Sequence, residues 1–238
     1  MDIESPTLLH SLPRGFRAVV IGASGGIGSA MCSLLRDRTD GGEITALSRR
    51  GDGLDILNED SVARCAAEFS GRPIHFLFCA TGALTIEGKA PEKGLKHIDP
   101  DTMVENFRIN AVGPALIAKH FLPLMDRKQR AIAAFLSARV GSIGDNRLGG
   151  WISYRASKAA LNQIVRTSAI EIARTHPQAV VAAVHPGTVT TELSAPYSAG
   201  HPTISADSAA ARILATLDKI PPESTGSFWA YDGNRVEW

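Results

Sequence analysis

A tyrosine and a lysine four residues apart stand in the segment Tyr154-Arg155-Ala156-Ser157-Lys158. Residues at this spacing share one face of a helix, so both side chains can meet one cavity. A free phenol titrates at about pH 10 and is a poor acid–base catalyst at neutral pH. A neighbouring ammonium stabilises the phenolate and lowers that value. A phenol so tuned can give a proton to a carbonyl oxygen or take one from an alcohol.

A second chemical feature is the glycine cluster Gly22-Ala23-Ser24-Gly25-Gly26-Ile27-Gly28. It follows a β-branched run and opens a stretch of helical spacing. Gly22 permits a tight turn out of the strand, the glycines let the backbone approach a phosphate, and Gly28 lets the helix pack near the strand. The helix N-terminus then offers unpaired N–H groups and a positive dipole end, as a pyrophosphate site requires. Read with either Gly25 or Gly26, the spacing is not the G-x-G-x-x-G fingerprint.

These residues need a scaffold, and the chain supplies alternating elements. Strand-like runs cover residues 17–21, 44–47, 54–56, 74–79, 131–137, 179–184 and 228–231. Helical stretches cover 27–38, a segment capped by Asn58 and reaching 69, a long one from its cap Asp101 to about 125, then 152–174 and 207–217. A turn is expected at 40–42. This alternation predicts an α/β fold, a doubly wound parallel sheet of about seven strands with helices on both faces. With no linker-like break, residues 1–238 read as one domain. Tyr154 and Lys158 then fall at the carboxyl edge of the sheet, where ligands bind.

Composition narrows the function classes. The chain has 238 residues, 44% hydrophobic and 21% charged, which excludes disorder. A formal net charge of +1 lacks the basic excess of a general nucleic-acid binder. Cys32, Cys65 and Cys79 form no CxxC pair, which argues for a reducing, cytoplasmic setting. No signal peptide, membrane span or metal-ligand spacing is read. The helix at 152–174 is apolar on several faces, which suits a homodimer or homotetramer.

Together these motifs resemble the short-chain dehydrogenase/reductase family, and more narrowly its C-factor or sniffer-like carbonyl reductase branch. The resemblance rests on the Gly22–Gly28 loop, Asn110-Ala111-Val112-Gly113, Tyr154-x-x-x-Lys158 and His185-Pro186-Gly187. The loop Gly141-Ser142-Ile143-Gly144-Asp145-Asn146 and the ending Phe228-Trp229-Ala230-Tyr231-Asp232-Gly233 point to the branch. It implies an NADP(H)-dependent oxidoreductase acting on a small carbonyl or alcohol. The alternative is a dinucleotide-holding signalling protein with incidental turnover.

The resemblance also implies roles. Tyr154 is the general acid–base; Lys158 tunes it and binds the nicotinamide ribose. Asn110 disturbs its long helix, beside Gly113 and Pro114, and holds a proton-relaying water. Gly22, Ser24, Gly25, Gly26, Ile27 and Gly28 hold the pyrophosphate. Ala80, Thr81 and Gly82 meet the adenine ribose, Asp55 the adenine amino group, and Pro186, Gly187, Val189 and Thr191 the nicotinamide. The family usually ends this strand with two serines, the second polarising the substrate carbonyl. Here the chain reads Leu136-Ser137-Ala138-Arg139, with Ala138 on the second position. Ser137 is favoured for the role if the strand end twists, with Ser142 the alternative. Residues 191–205 are read as a lid, and Trp151 as a possible wall of the pocket. The second strand ends Ser48-Arg49-Arg50 without an acid. Ser48 and Arg49 therefore predict recognition of a 2′-phosphate, and NADP(H) over NAD(H).

Overall fold

In the computed structural model, residues 9–37, 42–191, 193–197, 200 and 202–238 are described. Six strands form one parallel sheet: β1 (Arg17–Ile21), β2 (Glu43–Leu47), β3 (Phe76–Cys79), β4 (Ala131–Leu136), β5 (Ala179–His185) and β6 (Ser227–Ala230). Their spatial order is β2-β1-β3-β4-β5-β6. The helices are α1 (Gly26–Arg36), α2 (Arg49–Asp52), α3 (Glu59–Ala67), α4 (Pro100–Phe107), α5 (Gly113–Phe121), α6 (Ile152–Ile172) and α7 (Ala206–Lys219).

Central strands such as β3 (FLFC) and β5 (AVVAAVH) are nearly continuous apolar runs because both faces of the sheet are covered. Successive side chains separate into two cores. Val181 and Ala183 join α5 and α6 residues on one face, including Ile117, Leu161 and Val165. Val180, Ala182 and Val184 join α1 and α7 residues on the other, including Met31 and Ile213. The chain moves outward from β1 to β2 and then returns past β1 to β3. The crevice at this reversal, outside the carboxyl ends of the strands, is where such sheets bind ligands.

The expected strand at residues 54–56 does not form. Asp55 bends the chain instead: its carboxylate accepts the Leu57 N–H at 3.0 Å, and its own N–H bonds to Ser61 Oγ at 3.1 Å. Side chains thus take the backbone groups that a seventh strand would have paired. Asn58 caps α3 as expected, accepting the Ser61 N–H. The cap of α4 is Asp99, not Asp101. Its side chain accepts the Thr102 N–H at 2.8 Å, with Pro100 at the first helical position. Helix α1 ends at Arg36; the expected extension to residue 38 and the turn residues 40 and 41 lie outside the described residues.

The long helix expected from 101 to 125 is broken in the middle. Residues Arg108–Val112 form a π-helical turn, in which the Gly113 N–H reaches back five residues to the Arg108 carbonyl. Pro114, lacking an N–H, has nothing to give the carbonyl of Asn110. The disturbance expected at Asn110 is therefore present, and such turns concentrate at functional sites.

Candidate active site

The crevice opens into a cleft of about 840 Å³ at the carboxyl edge of the sheet. Its floor on one side is the glycine loop. Gly22 has φ +81°, a left-handed conformation that favours glycine, and its N–H bonds to Leu47 O at 2.9 Å. A Cβ on Gly28 would lie 2.2 Å from Gly22 O, so this helix approaches its strand only with glycine there. Helix α1 begins after Gly25 with no side-chain cap and no acid in its first turn. Ser24, Gly25, Gly26, Ile27 and Gly28 all line the cleft. An uncapped helix N-terminus on a glycine bed fits the pyrophosphate of a dinucleotide.

Facing the loop, Ala80, Thr81 and Gly82 leave β3 and wall the same cleft. Asn110 lies behind them, fully buried. Its side chain accepts the Ala83 N–H at 2.9 Å and donates to Ala83 O at 2.8 Å. The π-helical turn therefore aims an amide that grips this loop like a neighbouring strand. A Cβ on Gly82 would sit 3.1 Å from both Asn110 Oδ1 and Lys158 Nζ, so glycine also lets the loop cross the lysine.

Tyr154 and Lys158 project from the first turns of α6 into the cleft. The ammonium lies 5.9 Å from the tyrosine ring centroid and donates to Leu136 O at 2.9 Å. Burial pulls the lysine down to about 8. Burial also pushes the tyrosine above the ordinary phenol value, opposite to the lowering expected from its spacing to lysine. With the ammonium 5.9 Å from the ring centroid, desolvation dominates. The phenol is thus protonated at neutral pH, the form that can give a proton away.

Ser137 lines the cleft beside Ala138, with its hydroxyl engaged by a side chain of α6. Its hydroxyl donates to Asn162 Oδ1 at 2.6 Å, and Ser137 is only 3% exposed. Ala138 is extended, with φ −145° and ψ 145°, and lines the cleft. Ser142 is not among the lining residues; its Oγ accepts the Asp145 N–H at 3.1 Å.

The other expected residues divide. Pro186, Gly187, Val189 and Thr191 line the cleft. Gly22, Ser48, Arg49, Asp55 and Asn110 are not among its lining residues, and Arg49 and Arg50 are exposed beyond the end of β2. Sequence reasoning found no acid there, yet Asp52 folds back through the short α2 and accepts the Ser48 N–H at 3.0 Å. Serine as the cap of α2 was the available signal, since a capped turn returns its fourth residue to its start.

An aromatic wall closes the outer side. Trp151 stands edge-on to Tyr154, with centroids 6.3 Å apart, and edge-on to Tyr197 at 5.5 Å. Tyr197 Oη and Thr85 Oγ1 are 2.8 Å apart, joining the segment after β5 to the segment after β3. Leu84 and Leu193 complete an apolar rim. Trp151, at φ +51°, owes its direction to a left-handed conformation after Gly149 and Gly150 that pattern reading does not reveal.

Comparison with known proteins agrees with this geometry. Over 92% of this chain and 98% of its relative, the sequence is 29% identical to 1-hydroxy-2-glutathionyl-2-methyl-3-butene dehydrogenase of Rhodococcus sp. (strain AD45). It is 33% identical to the C-signal protein of Myxococcus xanthus over 60% of this chain and 83% of that one. Among solved structures, carbonyl reductase Sniffer of D. melanogaster superposes with a TM-score of 0.79 at 20% identity, covering 95% of this chain and all of that one. A short-chain dehydrogenase/reductase from Burkholderia multivorans with bound NADP gives 0.73 at 27% identity, over 95% and 100% of the two chains. Residues 55–201 match the family model described as short chain dehydrogenase, and the chain belongs to that family of oxidoreductases.

Proposed function

We propose that this enzyme is an NADPH-dependent reductase of small carbonyl compounds, with Tyr154 as the proton donor to the substrate oxygen. The observation that carries this reading is the buried Tyr154–Lys158 pair on one face of α6, in one cleft with the uncapped N-terminus of α1. When bound, the nicotinamide supplies or accepts the hydride. Gly22, Gly25, Gly26 and Gly28 seat the pyrophosphate, and Ala80–Gly82 border the ribose. Lys158, held by Leu136 O, binds the nicotinamide ribose and steadies the negative charge that forms on Tyr154. Pro186, Gly187, Val189 and Thr191 wall the nicotinamide. In reduction, Tyr154 would give its proton to the substrate oxygen, and bound NADPH would supply the hydride for the carbonyl carbon. Asn110 holds a water that relays protons to Lys158.

The preference for NADPH rests on Arg49, supported by the bound NADP of the Burkholderia relative and weighed against Asp52. Self-association in a homodimer or homotetramer is read on α4 and α6, where Val104 and Ile170 are exposed. A cytoplasmic setting agrees with three free, buried cysteines. Among the described residues, no helix is long and apolar enough to cross a membrane.

A second reading, a dinucleotide-holding signalling protein with incidental turnover, draws on Ala138. The cleft has no side-chain hydroxyl at that position to help Tyr154. Purified protein, NADPH and a panel of aldehydes and ketones separate the two. Steady turnover abolished by Tyr154→Phe supports the reductase; NADPH binding without turnover supports the second reading.

A further inference from the structure

Helix α6 carries the catalytic pair at its N-terminal end, yet its own sequence does not cap it. The N-cap position is Trp151, which offers no capping oxygen. The first turn of a helix leaves N–H groups that must find partners when buried. Ser153, next to Tyr154, is fully buried.

The missing acceptors come from a distant loop. Glu92, in the segment between β3 and α4, is only 7% exposed. Its carboxylate accepts the Ser153 N–H at 3.3 Å and, through its other oxygen, the Ser153 hydroxyl. Its backbone carbonyl accepts the Trp151 N–H at 2.5 Å. One residue thus bonds on both sides of Ile152, at the turn that bears Tyr154. The same contact holds Trp151 in its left-handed conformation, with its ring edge-on to the tyrosine.

We infer that Glu92 is a positioning residue: it caps the catalytic helix from outside and fixes where Tyr154 Oη stands in the cleft. The inference rests on the proposed role of Tyr154. It also ties that helix to the dinucleotide side of the cleft. The loop that carries Glu92 begins at Ala80–Gly82 and is gripped at Ala83 by Asn110. It is therefore pinned near the cofactor wall by one buried side chain and at the catalytic helix by another. A carboxylate suits this place, because it has acceptors for both Ser153 donors and its charge faces the positive end of a helix. Proton transfer is steep in geometry, so a small displacement of the phenol costs rate while dinucleotide contacts remain.

The experiment compares full-length wild type with Glu92→Gln, Glu92→Ala, Ser153→Ala and Tyr154→Phe. Activity is read as kcat and as KM for NADPH, on a carbonyl substrate that the wild type turns over. Hydrogen exchange is followed in a peptide covering residues 150–158. Glu92→Gln keeps the shape and loses one acceptor; kcat should fall about tenfold with the KM for NADPH within twofold. Glu92→Ala should fall further, and Ser153→Ala should resemble Glu92→Gln. Exchange in the first turn of α6 should quicken in all three Glu92 and Ser153 variants, with the rest of the helix unchanged. The proposal is overturned if Glu92→Gln lowers thermal stability but keeps kcat within twofold, or if first-turn exchange is unaltered. Failure of the Tyr154 reading shows separately, as a Tyr154→Phe enzyme near wild-type rate. If no carbonyl is turned over, the exchange measurement still decides whether Glu92 holds the turn.

Discussion

Replacing Lys158 by methionine should give a protein that is more stable and inactive. Lys158 is 3% exposed and its ammonium donates to Leu136 O; among the described residues it forms no ion pair with a carboxylate. Its ordinary value of 10.5 falls to about 8 in the fold because burial penalises the charged form. At about 1.4 kcal/mol per unit, keeping lysine charged there costs the folded state about 3 kcal/mol. Methionine has a similar reach and no charge. It forfeits the bond to Leu136 O, worth about 1 kcal/mol. The net gain is about 2 kcal/mol, or about 4–8 °C in melting temperature for a chain of this size.

The sign of the pH dependence follows from the same shift. Lysine in the unfolded chain titrates at 10.5 and in the fold at about 8, so between these values the unfolded chain holds more protons. Stability then rises with pH across that window and carries the full penalty below it. The deficit of wild type against Lys158→Met should be full at neutral pH and shrink from pH 8 upward. The assay is urea unfolding of ligand-free protein across this range, beside carbonyl reduction with NADPH. A variant less stable than wild type by 1 kcal/mol or more at neutral pH, or a difference indifferent to pH, refutes the reasoning.

Other substitutions address the remaining roles. Tyr154→Phe removes only the phenolic oxygen; kcat should drop about 10²–10⁴-fold with NADPH affinity nearly unchanged, and a rate within threefold of wild type would exclude Tyr154 as the proton donor. Ala138→Ser places a hydroxyl on the cleft side of β4 and should raise kcat for simple ketones about tenfold; an unchanged rate would mean the substrate oxygen lies elsewhere. Arg49→Ala should raise the KM for NADPH about tenfold and leave NADH little changed. Asp52→Asn keeps an acceptor for the Ser48 N–H and removes a charge, so it should favour NADPH over NADH by about fivefold; equal effects on both cofactors would remove Arg49 and Asp52 from the ribose site.

What the sequence made legible was local. The glycine loop could be read because strand, glycines and helix adjoin in the chain, and Tyr154 and Lys158 because helical spacing alone sets them on one face. The break at Asn110 was legible because Pro114 lacks an amide wherever it stands. The rest depended on side chains competing for backbone groups. Residues 54–56 looked like a strand until Asp55 and Ser61 took their hydrogen bonds. The end of β2 looked free of acid because reading stopped at Arg50, two residues before the chain turned Asp52 back. Glu92 carried no signal at all, since its side-chain partner Ser153 lies 61 residues away in sequence.

The serine shows where pattern and structure separate most usefully. Assigning Ser137 to the substrate required the end of β4 to twist by one residue. Such a twist would have freed its hydroxyl to face a substrate in the cleft that Ser137 and Ala138 both line. The backbone instead stays extended through Ala138, and Ser137 pairs in register with β5 through its N–H to Val184 O at 2.8 Å. Its hydroxyl is then held by Asn162, whose amide in turn donates to Gly141 O at 3.2 Å. The serine braces the loop that leads to α6, and alanine faces the cleft. In the proposed reaction, a carbonyl bound beside Tyr154 would be polarised by the phenol without a hydroxyl from residue 138. Substrates that already draw electrons from their carbonyl lose least by this arrangement, and simple ketones lose most. That difference is why Ala138→Ser should help simple ketones first.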